Sequence, residues 1–200
     1  MVQAGNKPQI DANALIALGS NATSPFGDPV ETVEAAFRAL DRDGLRLLAR
    51  SRLYRTPFVP AGGGDDVINA AAIVATELAP AALLEGLHRI EAEFGRARKL
   101  RWGSRTLDLD LLMVDGLVLP DRGTFETWRD LPLSAQREAA PDTLVLPHPR
   151  LAERAFALVP AVEIAADWQH PVLGRTLGDL LAALPQEEVA PVRVLGDGTA

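Results

Sequence analysis

The chain has 200 residues, with 20 Lys and Arg against 27 Asp and Glu, a formal charge of −7, no cysteine and 48% hydrophobic residues. That composition fits one soluble globular domain with a sizeable core, and it excludes a disulfide framework, thiolate metal sites and a cysteine nucleophile. The acidic balance argues against a protein that coats nucleic acid, although a local basic cluster can still take a small anion.

Residues 1–13 read as a polar, poorly ordered lead-in without an apolar stretch, so no signal peptide or membrane span is expected, and a cytoplasmic protein is. Residues 14–18 are a short apolar run closed by Gly19, Ser20 and Asn21, the pattern of a buried strand ending in a turn. Asp28, Pro29 and Glu31 make a helix start: a capping side chain, a residue suited to the first helical position and a capping-box acid. Val30, Val33, Phe37 and Leu40 follow at helical spacing and predict a helix over 29–41. Residues 45–54 predict a strand, and 56–66, with two prolines and three consecutive glycines, a loop. Residues 68–76 read as a strand, although their alanines also permit helix. Leu83, Leu84, Leu87, Ile90 and Phe94 line one stripe of a helix over 80–94, stopped by Gly95. Residues 106–114 predict a strand, and Asp115-Gly116 a hairpin into 117–119. Residues 120–143 have no clean period and read as a long loop or insertion. Helices are expected over 151–159 and 176–184, the second capped by Thr176 with Asp179 three residues on, before a tail over 185–200. The order strand, helix, strand, strand, helix, strand is that of an α+β, ferredoxin-like βαββαβ fold. It implies an antiparallel sheet with helices on one face, extended by the C-terminal hairpin and helices, in a single domain over 14–184.

The chemistry concentrates in RIEAEFGRARKLRWGSRTLDLD, residues 89–110. Arg89, Arg96, Arg98, Lys99, Arg101 and Arg105 fall within seventeen residues, with Gly95 and Gly103 flanking the loop. Arginine forks suit bidentate phosphate binding, although a solvated basic loop is the simpler reading of a charge run alone. In the strand that follows, Leu107, Leu109 and Leu111 alternate with Asp108 and Asp110. A strand puts residues i and i+2 on one face, about 6.6 Å apart, so both carboxylates project together. Aspartate is a poor strand residue and two like charges on one face repel, which a hard divalent cation relieves. An arginine loop running into Asp-x-Asp therefore suits phosphoryl or diphosphoryl transfer. No phosphate-loop sequence of the G-x-x-x-x-G-K-[ST] type is present.

Five blocks carry a resemblance: ALGSN (17–21), YRTP (54–57), INAA (68–71), GRARKLRWGSRTLDLDLL (95–112) and LPHPRLAERAF (146–156). In content and order they resemble the 6-hydroxymethyl-7,8-dihydropterin pyrophosphokinases of folate biosynthesis. The resemblance implies transfer of diphosphate from ATP to the pterin's hydroxymethyl group, release of AMP, two Mg²⁺ ions and a ferredoxin-like fold. It implies that Asp108 and Asp110 hold the metal, and that Arg96 and Arg105 stabilise charge on the transferred group. Glu91, Arg98, His148 and Arg154 would help bind ATP. Thr56, Pro57 and Asn69 would read the pterin's polar edge, Phe156 would stack on its ring, and Trp102 would close over ATP and pterin. Val67 departs from the family, standing where a second stacking aromatic is common. ATP and the pterin are the partners expected, with no nucleic acid, no membrane and no obligatory protein partner.

Overall fold

The computed structural model describes residues 11–58, 64–96, 105–132, 135 and 140–196. Its centre is β1 (Ala12–Ser20), paired antiparallel with β4 (Val67–Thr76) on one side and β5 (Asp108–Val114) on the other. The outer edge of β4 takes β2 (Leu45–Arg50) and then β3 (Tyr54–Thr56), and β3 in turn pairs with β6 (Arg193–Val194). The strand predicted over 45–54 is thus two strands. Ser51 makes the break: its Oγ accepts from the Ala71 amide at 2.9 Å, its own amide donates to the Ala71 carbonyl at 2.9 Å, and the chain re-aims before Tyr54.

Two layers of helix cover the sheet. On one face, α1 (Pro29–Ala39) and α2 (Pro80–Glu93) bury Val33, Phe37, Leu83 and Leu87 against Ile16, Leu18, Ala70, Ala72, Leu109 and Leu111. Asp28 opens α1 with a capping box, its carboxylate accepting from the Val30 and Glu31 amides while Glu31 accepts from the Asp28 amide. On the other face lie α4 (Ala155–Ala165) and α5 (Leu177–Ala182), whose Leu158, Ala161 and Leu180 pack on Leu15, Ala17, Ala71, Ile73, Leu112 and Met113. The βαββαβ plan holds. Its helices occupy one face as expected, and the C-terminal helices, which the sequence reading left as an extension, cover the second. The cause is visible in β1 and β4, which are apolar at both alternating sets of positions and so need cover on both sides.

Three further expectations change. Asp115, at φ 41°, and Gly116 do turn the chain, but 117–119 forms no hairpin with β5. Leu119 instead exchanges backbone bonds of 2.9 and 3.0 Å with Leu146, which brings that fully buried side chain into the first core. The stretch read as a loop contains α3 (Arg122–Arg129), capped by Asp121, with Phe125 packed against Val145 and Val172. The stretch read as a tail contains a short helix, α6 (Gln186–Val189), and then β6. Among the described residues no helix is long and apolar enough to cross a membrane.

Candidate active site

The alternation of β5 sets the site. Leu109 and Leu111 turn into the core beneath α1 and α2, so Asp108 and Asp110 emerge on the opposite face, partly buried. Across the sheet Asp108 is level with Gly19, Gly19 with Asn69, and Asn69 with Tyr54; the neighbouring row runs Asp110, Ala17, Ala71. This end of the sheet is therefore floored by small residues. A Cβ on Gly19 would lie 3.4 Å from Asn69 Oδ1 and 3.9 Å from Asp108 Cβ, so glycine keeps the floor open between those two side chains.

Three arginines converge on the two carboxylates. After α2, the Gly95 amide donates to the Ala92 carbonyl and the Arg96 amide to the Glu91 carbonyl, with Gly95 at φ 79°. This is a Schellman turn, and it folds Arg96 back over Glu91. Their side chains pair, and the Arg96 guanidinium also reaches Asp108 Oδ1 at 2.8 Å. Arg105 pairs with the other oxygen of Asp108. Arg154, the residue before α4, lies 3.2 Å from Asp110 Oδ2. Glu91 is 2% exposed, and its Oε1 also accepts from the Leu109 amide at 2.8 Å, between the two aspartates. A carboxylate so buried is tolerable only because it is paired and hydrogen-bonded.

Two aspartates over an open floor are a donor set that fits a hard divalent cation, which would draw its remaining oxygens from phosphate and water. Among the described residues no group of three or more His, Cys, Asp or Glu forms a cage made by protein alone.

A second group lies on the same face at β3 and β4. Asn69 Nδ2 donates to Thr56 Oγ1 at 2.5 Å and to the Val67 carbonyl at 3.4 Å, and both polar side chains are buried. Pro57 follows, exposed. Phe156 is 39% exposed and lies beside the Arg154 guanidinium, 5.7 Å from its ring centroid, so it is not a core residue. His148 is half-buried; its amide donates to the Leu112 carbonyl at 2.7 Å and its Nδ1 accepts from the Arg150 amide at 3.1 Å. Burial, with the charges of Arg154 and Arg150, pushes its pKa down to about 3, so the ring is neutral near neutral pH. Arg98 and Trp102 lie outside the described residues, as do Lys99, Arg101, Gly62 and Gly63.

Sequence reasoning read Gly19 and Asn21 only as a strand-ending turn within a family block, and it gave Glu163 no role. Glu163 on α4 accepts from the Tyr54 hydroxyl at 2.7 Å and from Arg52 Nε at 2.8 Å, tying the helix that carries Phe156 to the strand that carries Thr56. Only the fold brings these together, since 109 residues separate Tyr54 from Glu163.

The sheet order and its helices give the chain a ferredoxin-like fold. The model of the 7,8-dihydro-6-hydroxymethylpterin-pyrophosphokinase (HPPK) family matches residues 15–166, and the chain belongs to that family. It is 40% identical over 177 residues to the 2-amino-4-hydroxy-6-hydroxymethyldihydropteridine pyrophosphokinase of Pseudomonas aeruginosa, covering 87% of this chain and 93% of that one. The protein of the same description from Methylorubrum extorquens is 38% identical, with 86% and 92% covered. Among solved structures, the wild-type Plasmodium falciparum HPPK-DHPS matches with a TM-score of 0.60 at 14% identity. That match covers 86% of this chain but 44% of the solved one, and it speaks to the fold.

Proposed function

We propose that the chain transfers diphosphate from ATP to the hydroxymethyl group of 6-hydroxymethyl-7,8-dihydropterin, releasing AMP, in folate biosynthesis. One observation carries this reading beyond family membership: the row Asp108, Gly19, Asn69. It sets the carboxylates and their arginines on the same face as the Asn69–Thr56 pair, two strands away, about 10 Å at the usual strand spacing. That span suits a flat pterin held at Asn69 whose hydroxymethyl arm points toward a polyphosphate at Asp108.

Asp108 and Asp110 would hold two Mg²⁺, which when bound neutralise phosphate charge. Arg96, Arg105 and Arg154 now balance those aspartates. Phosphate oxygens would draw the guanidinium groups onto themselves, the bidentate geometry for which arginine is shaped. Arg96 and Arg105 would then meet the charge on the transferred group, and Arg154, His148, Arg98 and Trp102 would hold ATP. Glu91, engaged by Arg96 and Leu109, would act on ATP through Arg96. Thr56, Pro57 and Asn69 would bind the pterin edge, and Phe156 and Trp102 its ring. A cytoplasmic location belongs to the same proposal, and the reading needs neither a protein partner nor nucleic acid.

Product analysis with ATP, Mg²⁺ and the hydroxymethyl pterin tests it. AMP and pterin diphosphate should form one for one, activity should vanish with a chelator, and added Mg²⁺ should restore it. ADP with a monophosphorylated pterin overturns the assignment.

A further inference from the structure

The two arginines that meet at Asp108 stand at opposite ends of one segment, Arg96 just after α2 and Arg105 just before β5. The turn between β1 and α1 grips both ends. At the Arg105 end, the Asn21 amide donates to the Arg105 carbonyl at 3.1 Å, and Asn21 Oδ1 accepts from the Arg105 amide at 2.8 Å. Asn21 is 5% exposed, and its Nδ2 reaches the Asp65 carbonyl at 3.4 Å, so one side chain links Arg105 to the loop before β4.

At the Arg96 end, the Phe26 ring stacks on Phe94 with centroids 4.1 Å apart and planes at 22°. Pro25 lies 3.3 Å from where a Cβ on Gly95 would stand. Phe94 is buried, but Phe26 is 48% exposed, an aromatic with no place in the core. Pro25 and Phe26 are held out as the tip of a tight turn, closed by reciprocal Ser24–Gly27 backbone bonds of 2.9 and 3.1 Å. A 2.7 Å hydrogen bond between the Ser24 and Thr32 hydroxyls anchors that turn to α1.

We propose that this turn is a clasp, with Asn21 and Phe26 as positioning residues that hold Arg105 and Arg96 in convergence on Asp108. The inference rests on the reading that those arginines act on the transferred group. Catalysis by preorganised charge depends on sub-ångström placement, so a clasp that fails lowers turnover more than binding.

The test combines steady-state kinetics with hydrogen exchange at the Arg105 amide. Asn21→Ala should lower kcat at least tenfold, leave both KM values within about threefold, shift Tm by only a few degrees and speed exchange at Arg105. Phe26→Ala should lower kcat about threefold. In an Arg105→Ala background, Asn21→Ala should cost less than a further twofold, because its effect passes through Arg105. Additive losses in the double variant, or unchanged kcat and Arg105 exchange in folded Asn21→Ala, overturn the clasp. Full activity in Arg105→Ala alone overturns the role of that arginine instead, and Arg105 exchange then decides the clasp. If Asn21→Ala does not fold, the surface variant Phe26→Ala carries the same cycle against Arg96→Ala.

Discussion

At the scale of single residues, β5 separates two carboxylates on the site face from apolar support within consecutive positions. Asp108→Ala and Asp110→Ala remove partly buried carboxylates on the site face and should leave a folded protein. If each metal contact supplies about 3–4 kcal/mol at the transition state, turnover should fall about 10²–10³-fold in a saturating assay. Leu109 between them is 2% exposed, and Leu109→Ala should instead cost about 2–5 kcal/mol of stability in urea denaturation. Normal turnover in both aspartate variants would remove the metal from these residues. In the proposed pterin site, Phe156 offers an exposed ring and Val67 has no π-face to oppose it. Offset stacking adds about 0.5–1.5 kcal/mol beyond buried area, so Phe156→Ala should weaken pterin binding about tenfold or more once lost contact area is included. Calorimetry with a nonhydrolysable ATP analogue should show that loss with ATP affinity little changed.

At the scale of elements, the helices legible in the sequence carry an apolar stripe, as α2 does, or a capping box at the start. Asp28 and Glu31 form the capping box their spacing predicts, as do Thr176 and Asp179. Asp28→Ala should therefore cost about 1 kcal/mol, seen as a lower urea midpoint with an unchanged m-value. The elements misread lack a clear apolar period or continue because of contacts made elsewhere in the chain. The helix expected over 151–159 is instead a 3-10 turn at Leu151–Glu153 followed by α4, which starts at Ala155 and runs through Pro160 to Ala165 because Leu158, Ala161 and Ala165 bury against the sheet. That burial outweighs the backbone bond proline cannot make. α3 escaped notice because only Phe125 of its eight residues is buried, which leaves no period to see.

At the scale of the whole molecule, the segment carrying α3 is anchored by a buried histidine. His170 is 1% exposed, packs its ring 5.4 Å from that of Phe125, and accepts at Nδ1 from the Val172 and Leu173 amides. Burial pushes its pKa down from 6.5 to about 4, helped by the charge of Arg129. The unfolded chain then binds this proton more tightly than the folded one. Its contribution is complete above pH 6.5, falls as the pH drops from 6.5 to about 4, and is fully lost below that. The loss approaches about 3 kcal/mol at the acid end. His170→Asn keeps an acceptor for the two amides but cannot titrate, so its denaturation free energy should lose about one proton's worth of slope across that window. An unchanged slope would mean that His170 is not the group responsible.

The local chemistry of the chain was enough for the βαββαβ order, the core face of β5 and the family blocks, because alternation, helical spacing and caps act between near neighbours. Asp108 and Asp110 were legible as a pair because alternation puts two like charges on one strand face; Arg96 and Arg105 stood out as part of a basic run that a solvated loop would also explain, and Arg154 was singled out only by the family resemblance. Tertiary structure alone decided which arginine faces which aspartate, that Glu91 serves Arg96, and that Gly19 floors the gap to Asn69. It alone also decided that Asn21 holds Arg105. Those pairings join residues up to 84 positions apart, and their energies exist only once a closed chain has brought them together.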